Sequence, residues 1–282
     1  HHQIERCTDH KNCGLNDQNL AVILHGLKNI NGITALNFQG NRFTPSACKS
    51  IASFLRTNAS VEHLNLAGNE RIGAKGVSFL IPSFGHLVEL NLSKCRIDNV
   101  AVDNLCIGLH NNSSVASLLL SHNQISDRGA VEIAAMIPRH RNLRDLVLSW
   151  NAIRNPGGSA IGRALRGSGS MVECLDLSYN AFGGGSGEAN VALEFSQAFF
   201  SNRRLHHVSL AHNRLTKQDL FVILSRIEDA NNTALALHLE GNWSNHTSKN
   251  HEGHAKNAMY VFNENNKEAR MLGYTGCEVF DN

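Results

Sequence analysis

One recurring pattern governs what this chain can become. A nine-residue template, L-x-x-L-x-L-x-x-N, appears eight times with little decay. It reads ITALNFQGN from Ile33, VEHLNLAGN from Val61, LVELNLSKC from Leu87 and VASLLLSHN from Val115. It continues as LRDLVLSWN from Leu143, VECLDLSYN from Val172, LHHVSLAHN from Leu205 and ALALHLEGN from Ala234. The middle apolar position holds Leu36, Leu64, Leu90, Leu118, Leu146, Leu175, Val208 and Leu237, at separations of 28, 26, 28, 28, 29, 33 and 29. Near-equal spacing of this kind predicts a stacked array, because one such unit cannot bury its own apolar face.

The template has a physical reading. Alternating apolar residues, such as Leu146 and Leu148, turn one face of a short strand inward. The closing Asn stands where the chain leaves the strand, and its amide can pair turn backbone groups that would otherwise be buried alone. Asn41, Asn69, Asn123, Asn151, Asn180, Asn213 and Asn242 should therefore stack as a ladder, with Cys95 supplying a weaker thiol donor in one rung.

Beyond each rung, apolar or small residues recur every fourth position: Phe43, Ala47, Ile51, Leu55; then Ile97, Ala101, Leu105, Leu109. Ile125, Gly129, Ile133, Ile137 and Ile153, Gly157, Ile161, Leu165 repeat the comb. That spacing marks one face of a helix, and the Ala or Gly lets the helix start approach its neighbour. Strand followed by helix in each unit predicts an α/β solenoid with a parallel sheet on one side. Helices pack about 8–10 Å apart and strands under about 5 Å, so the array must curve with the sheet concave and the helices convex.

These units resemble the ribonuclease-inhibitor-like leucine-rich repeats, a family that includes ribonuclease inhibitor and the Ran GTPase-activating protein. Repeat regions of NOD-like receptors, tropomodulins and several ciliary proteins are similar. The resemblance covers roughly residues 14–243 and implies a horseshoe that recognises other proteins. Ribonuclease inhibitor itself is far richer in cysteine and alternates Asn with Cys, unlike this chain. The Cys95 exchange is one the family tolerates.

Three parts follow. Residues 1–32 form an N-terminal cap or partial first repeat, since Leu15, Asn19, Ile23 and Leu27 keep the helical comb while IERCTDHK fits the strand poorly. Residues 33–243 form the repeat domain of about eight units. Residues 244–282 are a polar, non-repeating cap or tail, read either as a cover for the last repeat or as a segment that orders on a partner. The unit from Val172 is stretched by Gly183 to Glu188. No Gly-Lys-Ser/Thr follows, so a flexible surface insertion is expected and not a phosphate loop.

Composition narrows the function. A formal net charge of +2 argues against a dedicated nucleic-acid binder. No apolar run approaches the roughly 20 residues that span a bilayer, so no membrane role is expected. Seven cysteines, an odd number without CxxC spacing, suggest reduced thiols in a cytoplasmic protein. Sequons at Asn58, Asn112, Asn242 and Asn245 stand against that compartment. The chain does not begin with Met, so a fragment of a longer protein is one reading. His246, His251 and His254 lack the H-E-x-x-H spacing of a helical zinc site, so neither metal nor cofactor is expected. Nothing marks an activated nucleophile, and the chain is read as no enzyme.

The outward strand positions carry the binding expectation. Leu119, His122, Val147, Trp150, Tyr179 and His212 fall on neighbouring units at or beside the concave face, and exposed aromatics ringed by polar groups are typical of hot spots. The plainer reading is that aromatics before the rung Asn are common in such repeats without consequence. Arg56, Arg139, Arg141, Arg166, Arg203, Arg204 and Arg226 lie near helix ends, where cations complement the helix dipole or form an edge for an acidic partner. The leading function is a noncatalytic scaffold binding a protein partner through the concave face. The alternatives are a GTPase-activating protein resembling the Ran activator, whose strongly acidic tail is unlike the mixed charge of residues 244–282, and a structural subunit of a cytoskeletal or ciliary assembly.

Overall fold

The computed structural model describes residues 6–30, 32–110, 112–184, 189–228, 235–242, 259–261 and 270–272. Nine strands lie side by side in chain order, all parallel: β1 (Arg6–Asp9), β2 (Ile33–Asn37), β3 (His63–Asn65), β4 (Glu89–Asn91), β5 (Ser117–Leu119), β6 (Asp145–Val147), β7 (Cys174–Asp176), β8 (His207–Ser209) and β9 (Ala236–His238). Two further strands, β10 (Met259–Val261) and β11 (Arg270–Leu272), add on antiparallel, with β10 against β9. Both fall within residues 244–282. The His246, His251 and His254 segment lies outside the described residues, as do the sequon at Asn245 and most of the 183–188 insertion.

Helices α1 (Asp17–Leu27), α2 (Pro45–Thr57), α3 (Gly73–Leu80), α4 (Asn99–His110), α5 (Asp127–Met136), α6 (Asn155–Ala164), α7 (Val191–Ser201) and α8 (Lys217–Glu228) form the opposite layer. Each packs on the next along the array. The α3 unit is the short one. There the helix yields at Leu80 to a 3-10 turn, Ile81–His86, whose second residue is Pro82. Proline lacks the amide that an α-helix interior would need.

The template leucines meet in register from Leu36 against Leu64 through to Val208 against Leu237, and all are fully buried. Complete burial of one such side chain contributes about 1.5–3 kcal/mol. The core is therefore one continuous seam between sheet and helices. Residues 6–9 pair with β2 despite their weak sequence match: Thr8 stands opposite Leu36, and Asn12 takes the turn conformation found in later units.

The rungs form a hydrogen-bonded ladder. Asn151 Nδ2 donates to Leu148 O of its own turn and to Leu120 O of the preceding one, both at 3.0 Å, while its Oδ1 accepts from Ile125 N at 3.0 Å. Asn41, Asn69, Asn123, Asn180 and Asn242 repeat the arrangement. Cys95 Sγ donates to Leu66 O at 3.1 Å. Asn213 follows the stretched repeat and donates normally, but its buried Oδ1 accepts nothing from the described residues.

A second ladder runs along the helix starts. Asn99 Oδ1 accepts from Ser126 N and Gly129 N at 3.1 and 3.0 Å, and Asp127 Oδ1 accepts from Arg154 N and Gly157 N at 2.7 and 3.0 Å. Asp17 caps Thr44 in the same way. The first residue of one helix thus satisfies the open amides of the next. A Cβ at Gly129 or Gly157 would fall 2.7 Å from Asn99 Oδ1 or 2.9 Å from Asp127 Oδ1, so glycine is what admits the cross-repeat cap.

Candidate functional site

Parallel strands in register sort the outward side chains into columns. The first column runs His63, Glu89, Ser117, Asp145, Cys174 and His207, and the second runs Asn65, Asn91, Leu119, Val147, Asp176 and Ser209. In the second column Asn37, Asn65, Asn91 and Asp176 each accept the amide two residues on, which closes the strand into its turn. Val147 departs from expectation. It is only 2% exposed, held in register between Leu119 and Asp176, so it adds nothing to an exposed platform. A small β-branched side chain on an inward-curving sheet is covered by the flanking strands. Leu119 is half-buried.

The residue before each rung is the distinctive one. Gly40, Gly68 and Gly241 occupy it in three units with positive φ; Lys94, His122, Trp150, Tyr179 and His212 occupy it elsewhere with φ between 51° and 55°. A non-glycine residue in this left-handed region costs about 1–2 kcal/mol. Shared backbone geometry projects these side chains alike from successive units. The rings therefore stack: His122 on Trp150 at 4.9 Å between centroids, Trp150 on Tyr179 at 4.0 Å and Tyr179 on His212 at 4.2 Å, with planes 10–12° apart. Aromatic pairs contribute about 0.5–1.5 kcal/mol each beyond burial, which offsets part of the backbone strain. His212 in turn covers Gly241, where an added Cβ would collide with the imidazole. Trp150 remains 47% exposed and Tyr179 38%.

The floor below this rim is acidic and partly desolvated. Burial raises the Asp145 carboxyl above the ordinary carboxylate range; a hydrogen bond from the Cys174 thiol opposes the rise, Glu173 and Glu89 add to it, and Arg144 opposes it. Glu173 pairs with Arg144, and His63 Nδ1 lies 3.4 Å from Glu89 Oε2. The His207 and His238 rings sit 4.7 Å apart. Burial first, then His238, lowers the His207 pKa, against the pull of Asp176. On the rim, burial and then Lys94 lower that of His122.

The helix-end arginines are dispersed. Arg166 is ion-paired with the buried Glu194, which also meets Arg163 Nη2 at 3.1 Å. Arg166 and Arg226 flank a cleft of about 400 Å³ with Gln197 and Phe200. Arg56, Arg139, Arg141, Arg203 and Arg204 are exposed. Cys48, Cys95 and Cys106 are thiols whose pKa burial pushes up to about 12. Among the described residues no group of three or more His, Cys, Asp or Glu could hold a metal ion, and no helix is long and apolar enough to cross a membrane.

Comparison with known proteins agrees with this architecture. The family described as "Leucine Rich repeat" matches residues 57–80, 86–106, 111–134 and 139–162. The human "NACHT, LRR and PYD domains-containing protein 5" is 26% identical over 215 residues, 64% of this chain and 17% of that protein. Chicken "Leucine-rich repeat-containing protein 45" is 32% identical over 128 residues, 44% of this chain and 19% of the relative. Pig "Ribonuclease inhibitor" is 28% identical over 176 residues, 60% of this chain and 38% of the inhibitor. The chain thus spans well under half the length of these relatives. At the level of the superfamily, it is a ribonuclease-inhibitor-like leucine-rich-repeat protein.

Proposed function

We propose that this protein is a noncatalytic recognition scaffold that binds a protein partner across its concave face, with Trp150 and Tyr179 as central anchors and His122, His212 and Leu119 beside them. One observation carries the reading: four aromatic side chains accept left-handed backbone on consecutive repeats, where glycine serves elsewhere, and still leave Trp150 and Tyr179 substantially exposed. Strain held in place by its surroundings is a mark of functional positions. A rigid row also loses little side-chain entropy on binding. The likeness to a ribonuclease inhibitor over 60% of the chain supports a role in protein binding. The fully buried thiols of Cys48 and Cys95 support a reducing, cytoplasmic setting.

The test is calorimetric. A partner captured with the wild-type chain is titrated against Trp150→Ala and against Arg166→Ala, whose side chain lies at the helix ends. Loss confined to Trp150→Ala supports the concave site. Loss confined to Arg166→Ala moves the site to the helix ends.

A further inference from the structure

The turns that follow the strands make a rim of one dominant charge. Over residues 40–44, 68–73, 94–98, 122–126, 150–154, 179–183 and 212–216, the exposed cations are Arg42, Arg71, Lys94, Arg96, Arg154 and Arg214. Glu70 is the one exposed carboxylate in these turns, and it faces Arg96 at 3.6 Å. Asp98 and Asp127, both half-buried, are occupied with backbone amides. Carboxylates on the floor below include Glu62, Glu89, Asp145, Glu173 and Asp176, with Arg144 paired to Glu173. Charge on this side of the sheet is thus segregated, with a basic rim above an acidic floor.

The aromatic row sits within the basic rim, and its geometry limits what it can contact. Each internal ring face is covered by the next ring at 4.0–4.9 Å, and the terminal His212 is closed by Gly241. No face of Trp150 or Tyr179 is open for a flat group to stack upon. What the row offers outward is ring edges, the electropositive part of the aromatic quadrupole. The donors there are the indole N–H, the phenol O–H and imidazole nitrogens, and the indole has no acceptor. Lys94 and Arg96 stand at one end of the row and Arg214 at the other. Such a surface calls for acceptors and negative charge from its partner.

We propose that the rim row from Lys94 to Arg214 binds an acidic peptide segment, its carboxylates set against the ring edges and the flanking cations. This rests on the concave-face reading above and specifies the partner's chemistry. Single-stranded nucleic acid is the other polyanion to consider, but it binds aromatic platforms by base stacking, which needs open ring faces. Charge contacts on an exposed rim also predict weakening with salt, since the Debye length falls from about 10 Å at 0.1 M to about 3 Å at 1 M.

The probes are three fluorescein-labelled ligands read by anisotropy on the full chain: a glutamate-rich decapeptide, the same peptide with glutamine in place of glutamate, and a decamer of thymidylate. The expected result is at least tenfold tighter binding of the acidic peptide than of the glutamine peptide, lost at 1 M salt. Joint Arg154→Glu and Arg214→Glu substitution should weaken it at least tenfold, with unchanged circular dichroism and thermal midpoint showing that the fold persists. Glu89→Gln on the floor should leave it within twofold. Equal binding of the two peptides, or thymidylate binding as tight as the acidic peptide, would overturn the proposal. A captured protein partner that is lost with Trp150→Ala but kept by the double charge reversal would overturn it too, while leaving the concave-face reading intact.

Discussion

Trp150 and Tyr179 stack 4.0 Å apart with planes 10° from parallel, although 29 residues separate them. The contact exists because the same left-handed backbone occurs at the same place in consecutive repeats. Trp150→Ala should weaken partner binding by about 2 kcal/mol or more, the usual hot-spot threshold, as read by titration calorimetry. The thermal midpoint should also fall by a few degrees, because two stacking contacts are lost with the indole while the core is untouched.

The backbone of this row makes an unusual ranking. At Tyr179, alanine loses the ring stacking and keeps positive φ, whereas glycine loses the stacking and relieves the strain. Tyr179→Gly should therefore be more stable than Tyr179→Ala by about 1 kcal/mol in urea titrations, the reverse of the order on a strand or helix. The glycines already present at 40, 68 and 241 show that the position accepts that residue.

Removing a rung strands a buried amide and thins the bonding of two carbonyls. Asn151→Ala leaves Ile125 N without its acceptor and takes one of two donors from Leu120 O and Leu148 O, which keep Asn123 and Asn180, and should cost about 1–3 kcal/mol in urea titrations. Gln18→Ala, exposed on α1, should stay within about 0.5 kcal/mol.

The second ladder gives a local prediction. Asp127→Ala leaves Arg154 N and Gly157 N unsatisfied at the start of α6, with an expected loss of about 1–2 kcal/mol. Hydrogen exchange should quicken at those amides, while the start of α5 keeps its Asn99 cap.

Acid should destabilise the fold through its histidines. Burial lowers the pKa of His140 below the ordinary 6.5, and His207 and His122 are lowered as well. As pH falls through about 6.5 the unfolded chain takes up protons that the folded chain refuses, so stability present above that pH declines below it. The thermal midpoint should be lower at pH 5.5 than at 7.5. His140 Nδ1 accepts Leu143 N, as Asn112 Oδ1 accepts Val115 N one repeat earlier. His140→Asn keeps that acceptor and should shrink the pH difference.

The residues themselves state a great deal of this molecule. Which side chains of each strand face inward is a matter of period two, and which residues line the inner helix face a matter of period four. Leu118, Leu146, Ile133 and Ile161 could therefore be placed in the core, and Asn151 at a rung, without coordinates. Trp150 and Tyr179 could likewise be set on one edge from their repeat position. What tertiary structure alone decided are the relations between units: that four rings close face to face, that Val147 vanishes between Leu119 and Asp176, and that Asp127 caps a helix 27 residues downstream. It also decided that Arg6–Asp9 joins the sheet. Periodicity orients a side chain within its own repeat. Its partners, its burial and the charge it meets are set by neighbours some 26–33 residues away, through the stacking of one repeat on the next.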